Sequence, residues 1–178
     1  FVVRNLYTVP AIISKIPDSR ARRYATLRIA LPDRLVGQFV TANPSTLLQL
    51  AQFGNEHAGS LVRDIHDGGI NRDFDIPPYV RRQLERKTRK ANSRRAKEIE
   101  AGIERSGDLR PKDAWPNLQF LGVWTGGSAG AFLPQLKPWY GDIPFRDHGL
   151  HASEGRMTIP FEDDIPVGLL DIDSHYFE

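Results

Sequence analysis

Apolar residues along this chain recur with changing periods, and each period predicts an element. In "VPAIISKIPDSRARRYATLRIALP", Ile12, Ile13 and Ile16, then Tyr24, Leu27, Ile29 and Leu31, return at helical spacing. Pro17 divides this stretch into two helices, with Asp18 or Ser19 capping the second. "RLVGQFVTA" is short, apolar and β-branched, which predicts a buried strand over 35–41. Asn43 followed by Pro44 is a helix start, a capping side chain ahead of a residue with no N–H to satisfy. The apolar face that follows, Leu47, Leu48, Leu50, Ala51, Leu61, Val62 and Ile65, runs to Gly68-Gly69. Strand, capped helix and return make the grammar of an α/β layer.

The pattern then changes. "PPYVRRQLERKTRKANSRRAKEIEAGIERSG" has few apolar residues and reads as two helices broken near Asn92-Ser93, packed on one side only. "WPNLQFLGVWTGGSAGAFLPQLKPWYG" predicts a buried strand over 118–124, a tight turn Thr125-Gly126-Gly127-Ser128, and a helix to about Leu136 capped by Ser128. "IPFRDHGLHA" gives a second short strand, and "GRMTIPF" and "VGLLDIDSHYFE" give further strands around an acidic turn, Glu162-Asp163-Asp164. The expected fold class is α/β, a mixed, mostly parallel sheet flanked by helices. It is read as one α/β subdomain over residues 1–178, with a basic helical arm at about 78–106.

Composition narrows the chemistry. The chain has 178 residues and no cysteine, which excludes disulfides, thiolate metal sites and cysteine nucleophiles and fits a reducing, cytoplasmic setting. No apolar run approaches the roughly 20 residues of a membrane span, so a membrane partner is not expected. The first residue is Phe1 and the single methionine is Met157, so the chain reads as a piece of a longer protein. The net charge of +2 conceals an asymmetry. Residues 1–110 carry 20 Lys+Arg against 12 Asp+Glu, while residues 111–178 carry 4 against 10. An acidic end with glycine-rich turns suits a cation-assisted site; a basic end suits phosphate, an acidic partner or water.

Three constellations compete for the chemistry. His148, His151 and Glu154 stand at spacings of three, and Asp171, Asp173 and His175 add further donors, which suits a metal centre on a helix. Glycines at 149 and 155 argue against a helix there, and on a strand the two histidines fall on opposite faces. The cations from Arg81 to Lys97 invite a nucleic-acid or acidic-partner reading, but the stretch from Pro77 to Gly107 has one aromatic, Tyr79, and no recognition signature. A solvated helical face is the plainer account, and nucleic acid is not the expected partner. Thr125-Gly126-Gly127-Ser128 is the third. A strand that ends in small residues and opens a helix leaves room for a ligand at the carboxyl end of a sheet. Ser153 and Glu154 form the tip of a loop one strand later, where a hydroxyl can meet a phosphate oxygen and a carboxylate can hold magnesium beside it.

"VWTGGSAGAFLPQLKPWYGDIPF", "GLHASEGRMTIPF" and "LLDIDSHYFE", with "FVTANPSTLLQLAQ" and "LVRDIHDGGI" before them, resemble the Gretchen Hagen 3 (auxin-responsive promoter) family of acyl acid–amido synthetases. The similarity covers most of the chain, and looks closer to bacterial members than to the plant hormone enzymes. The resemblance implies the large N-terminal domain of an adenylate-forming enzyme, with ATP, AMP and Mg2+ as cofactors and a carboxylic acid and an amine, often an amino acid, as substrates. It maps the family's Tyr-Ala-Ser-Ser-Glu motif onto Leu150, His151, Ala152, Ser153 and Glu154. Glu154 becomes the magnesium-side carboxylate and Ser153 the α-phosphate contact. Thr125, Gly126, Gly127 and Ser128 fall on the turn beside the adenine and acyl group. Leu150 stands where the family has tyrosine, and Ala152 replaces the first serine. The phosphate loop is expected before Phe1, and the ribose-binding aspartate and mobile C-terminal domain after Glu178, so this piece alone is expected not to catalyse.

Overall fold

The computed structural model describes residues 7–153 and 155–173. A 3-10 turn at Ala11–Lys15 leads into helix α1 (Ser19–Ala30), then strand β1 (Gln38–Val40) and helices α2 (Pro44–Glu56), α3 (Ala58–Asp67), α4 (Pro78–Thr88), α5 (Ser93–Ser106) and α6 (Pro111–Ala114). Strand β2 (Phe120–Gly122) follows, then a 3-10 segment (Gly127–Phe132) running into α7 (Leu133–Tyr140). Strand β3 (Phe145–Arg146) precedes four two-residue strands, β4 (His151–Ala152), β5 (Gly155–Arg156), β6 (Thr158–Ile159) and β7 (Leu169–Leu170). The chain divides into two compact units, Phe1–Val36 with Leu50–Asn117, and Gly37–Gln49 with Leu118–Glu178.

The first unit is helical. Tyr24, Leu31, Leu61, Ile65, Val80, Leu84 and Trp115 are fully buried, and each such side chain stabilises the fold by about 1.5–3 kcal/mol. The predicted Asp18 cap is present, accepting from the Ala21 N–H at 2.7 Å, and Asn92, at the predicted break between the basic helices, accepts from the Arg95 N–H at 3.1 Å and caps the second. Among the described residues, the buried side-chain polar atoms have hydrogen-bond partners except the Thr88 hydroxyl. Trp115 Nε1–H donates to the Ala30 carbonyl at 3.2 Å, and the Tyr24 hydroxyl donates to Asp64 at 2.8 Å. Burial, then the bond to Asp64 and its charge, push the Tyr24 phenol above its ordinary range. Arg28 is a buried charge of this unit: Nε donates to the Gly69 carbonyl at 2.8 Å, and Nη2 to the Asp64 and Thr88 carbonyls at 2.9 and 3.1 Å.

The second unit carries the sheet, ordered β1-β2-β3 with both pairings parallel. Leu121 and Val123 are fully buried, as expected of a central strand. Leu136 and Tyr140 of α7 are buried, with the Tyr140 hydroxyl donating to the Leu47 carbonyl at 2.9 Å and Phe39 meeting the Tyr140 ring edge-on at 5.9 Å. Antiparallel ladders β4–β5 and β6–β7 complete the unit. The fold is mixed α/β with a small parallel sheet.

Several elements differ from expectation: the first predicted helix is the 3-10 turn Ala11–Lys15, and the strand predicted over 118–124 shortens to Phe120–Gly122. The strand predicted over 35–41 shortens to Gln38–Val40 and is not buried: Leu35 is 81% and Val40 61% exposed. β1 lies at the edge of the sheet, and an apolar run does not distinguish an edge strand from a central one. The apolar face running from Pro44 to Asp67 is broken at His57, whose φ of −106° and ψ of 17° leave the helical region. There the His57 ring packs on Phe53 at 4.3 Å and edge-on to Phe74 at 5.3 Å. Ser128 does not cap a helix. Gly126 precedes the 3-10 segment without a side-chain bond, and the α-helix starts at Leu133 with Pro134 in its first turn.

Candidate functional site

β2 and β3 run side by side with Leu121 opposite Phe145 and Gly122 opposite Arg146, so their carboxyl ends release two loops next to each other. The first holds Thr125 to Ser128, the second Asp147 to Leu150. Asp147 lies between them. Its Oδ2 accepts from the Thr125 N–H at 2.6 Å and from the Thr125 hydroxyl at 2.7 Å, and its Oδ1 accepts from the Gly149 N–H at 2.6 Å. Burial pushes the Asp147 carboxyl up, but the Thr125 and Gly149 donors and the nearby His148 outweigh it and hold it below the usual carboxylate range.

Above this carboxylate opens a cleft of about 420 Å³, within the size range of small-molecule sites. Trp124, Gly126, Gly127, Ser128 and Ala129 line one side, and Asp147, Gly149, Leu150 and His151 the other, with Pro166 beside Gly126. The small residues are required locally. A Cβ on Gly126 would lie 2.9 Å from Pro166 Cβ, and one on Gly130 would lie 2.6 Å from the Thr125 carbonyl oxygen. Gly127 takes a φ of +56°, which turns the chain out of the strand.

The expected residues separate into three groups. Gly126, Gly127, Ser128, Leu150 and His151 line the cleft. Thr125 is buried beneath it, with both donors directed to Asp147. Ala152 and Ser153 belong to the hairpin in which His151 pairs with Arg156 and Ala152 with Gly155. Glu154 lies outside the described residues, as does His175. Arg156, in that hairpin, donates to the His148 carbonyl at 3.0 Å and the Thr158 carbonyl at 3.2 Å, so its guanidinium pins the loop. His148 turns away toward the Thr41 carbonyl, 3.3 Å from Nε2, while His151 lines the cleft. Among the described residues, no three His, Asp or Glu side chains gather as a metal site.

The basic helices are only partly solvated. Arg95 is buried, donating to the Leu31 and Ala114 carbonyls and to Glu98, and Arg81 donates to the carbonyls of Ile70, Asn71 and Phe74. Arg82, Arg86, Lys87, Arg89 and Lys90 remain exposed. No helix among the described residues is long and apolar enough to cross a membrane.

A family model described as the GH3 family N-terminal domain matches residues 1–145. The chain belongs to the GH3 family. No curated protein sequence matches it. Among solved structures, this GH3 chain is similar to the GH3.15 acyl acid amido synthetase, with a TM-score of 0.76 and 19% identity over 85% of its residues. It is also similar to the AtGH3.15 acyl acid amido synthetase in complex with 2,4-DB, with a TM-score of 0.71 and 20% identity over 80% of its residues. The chain spans 28% and 25% of the length of those two proteins. At this identity the likeness carries the fold. The Asp147 bridge was missed in the sequence, although "DHG" directly after a strand is the pattern of an Asp side chain that accepts from the amide two residues on.

Proposed function

We propose that this chain is part of an ATP-dependent acyl acid–amido synthetase and supplies one wall of its nucleotide and acyl site. The observation that carries this is the cleft at the carboxyl ends of two adjacent parallel strands, where α/β sheets bind ligands. Family membership supports the reaction class. In the first step an oxygen of the substrate carboxylate bonds to the α-phosphorus of ATP, the bond to the bridging oxygen breaks, and pyrophosphate leaves. In the second the amine nitrogen attacks the acyl carbon, AMP leaves with the bonding pair, and the amine loses a proton.

The chain's own residues suit binding and orientation. Gly126 and Gly127 let the backbone approach a flat base or acyl group, Ser128 and His151 offer polar contacts, and Trp124, Leu150 and Pro166 give apolar surface. Among the described residues, Lys and Arg are absent from the lining of this cleft. Phosphate charge there calls for a cation, and the acidic balance of residues 111–178 suits a metal ion. Glu154 would hold Mg2+, with Ser153 at the α-phosphate; the ion, when bound, neutralises charge on the phosphates. In the full-length protein, radiolabelled pyrophosphate is expected to exchange into ATP only when a suitable acid is present. Glu154→Ala is expected to lower that exchange about 100-fold, the scale of removing one electrostatic stabiliser of a phosphoryl transition state. Exchange that is independent of acid, or unchanged in Glu154→Ala, refutes the proposal.

A further inference from the structure

We propose that Asp147 is the positioning residue of the cleft: its carboxylate locks the loop after β2 and the loop after β3 into the one register in which both line the site. The inference rests on the nucleotide reading for its functional consequence and on geometry for the lock itself.

The geometry is specific. Asp147 is 8% exposed, and its two oxygens take three donors from two loops that are 22 residues apart in sequence on one side and two residues apart on the other. These bonding partners are two backbone amides and one hydroxyl, with no cationic side chain among them. A buried carboxylate satisfied in this way fixes backbone, because each donor is held in place by the chain itself. Thr125 spends both of its donors on this carboxylate, so its part in the site is to hold the turn that presents Gly126, Gly127 and Ser128. On the other side the bond to Gly149 sets the start of the segment that presents Leu150 and His151. The strand ladder ends just before: the Val123 N–H donates to the Arg146 carbonyl at 3.0 Å, and Asp147 takes over from there. The side chain continues across the loops the register that the backbone sets across the strands.

Asparagine at this position keeps the shape but replaces one acceptor oxygen with a donor, which faces an N–H on either side. Asp147→Asn therefore frees one loop. Thr125→Val keeps the backbone bond and loses the hydroxyl bond; Thr125→Ser keeps both. The test uses the full-length protein with two readouts. The first is amide exchange at Thr125 and Gly149 compared with Leu121 and Val123 in the strand. The second is the KM for ATP against kcat in acid-dependent pyrophosphate exchange. In Asp147→Asn, exchange at Thr125 or Gly149 is expected to speed up while Leu121 and Val123 stay protected, and the KM for ATP to rise about tenfold, the scale of losing a bond to a charged group. Thr125→Val is expected to show a smaller rise in KM, which Thr125→Ser largely reverses. Unchanged protection at both amides in Asp147→Asn overturns the lock, as does a Thr125→Ser variant as impaired as Thr125→Val. If Asp147→Asn does not fold, the Thr125 pair decides by the same criteria. A wild-type protein without acid-dependent exchange, in which the amides still respond to Asp147→Asn, overturns the nucleotide reading and upholds the lock.

Discussion

Arg28→Met is expected to lower the unfolding free energy by about 2–6 kcal/mol, the cost of leaving two buried carbonyls without their donor at about 1–3 kcal/mol each. The side chain is 2% exposed and ends three bonds at carbonyls rather than carboxylates. Two of those carbonyls close helices: Asp64 lies in the last turn of α3, and Thr88 is the last residue of α4. The last carbonyls of a helix have no partner within it and carry the negative end of its dipole. One guanidinium thus caps two helices and holds the Gly69 turn between them. Burial drives the Arg28 pKa down, and the Asp64 charge acts against that. Methionine fills the stem's volume but leaves the Asp64 and Gly69 carbonyls without this donor. Lysine restores a charge without the planar fork, so Arg28→Lys is expected to fall between wild type and Arg28→Met. Urea unfolding of the three proteins checks the order, and a loss below about 1 kcal/mol for methionine would show that water replaces the guanidinium at no great cost.

Gly149→Ala is expected to cost about 2–4 kcal/mol, combining a disfavoured backbone conformation with a collision. Gly149 has a φ of +79°. A Cβ there would collide with the Thr158 carbonyl oxygen and lie 2.9 Å from Thr158 Oγ1 and 3.1 Å from Pro160 Cδ. The neighbours cannot retreat freely, because the Leu150 N–H donates to Thr158 Oγ1 at 2.8 Å and the Met157 N–H donates to the Leu150 carbonyl at 2.8 Å. Gly127→Ala is the control. Its φ is +56°, but nothing lies within 4 Å of the added atom, so only the backbone cost of about 1 kcal/mol remains. Thermal unfolding of the two variants separates collision from backbone preference; equal shifts in Tm would mean that the Thr158 loop yields.

Where the sequence was read successfully, the governing interaction was local. Asp18 caps a helix because a short side chain reaches an amide two or three residues on. Asn43 meets the Ser45 amide at 2.9 Å at the start of α2 for the same reason. The glycine-rich turn and the following strand were legible as a ligand-sized opening, since small residues at a strand end leave space in any packing. What escaped was non-local. The charge count from Arg81 to Lys97 treated every cation as solvated, yet Arg81 and Arg95 turn inward onto carbonyls. Arg95 shares the i, i+4, i+7 face of Ile99 and Gly102, a spacing that marks it as inward-facing. Asp147 finds its partner Thr125 on another strand's loop, beyond the reach of any spacing rule. The roles of Ser153 and Glu154 rest on family resemblance alone, and Glu154 lies outside the described residues.

The order of the sheet has a kinetic consequence. Phe145 pairs with Leu121 across roughly 24 residues, but Phe120 pairs with Gln38 across roughly 80, with most of the helical unit lying between them in sequence. Closing the longer loop costs about 1 kcal/mol more chain entropy, and contacts of such separation form late. The β2–β3 pair, with the Asp147 bridge at its end, is therefore expected to be in place before β1 joins it. Pulse-labelled hydrogen exchange during refolding would find the Thr41 amide, which bonds to the Gly122 carbonyl at 2.9 Å, gaining protection after Val123. The cleft would then be shaped early, and its outermost strand would be the last to arrive and the first to leave.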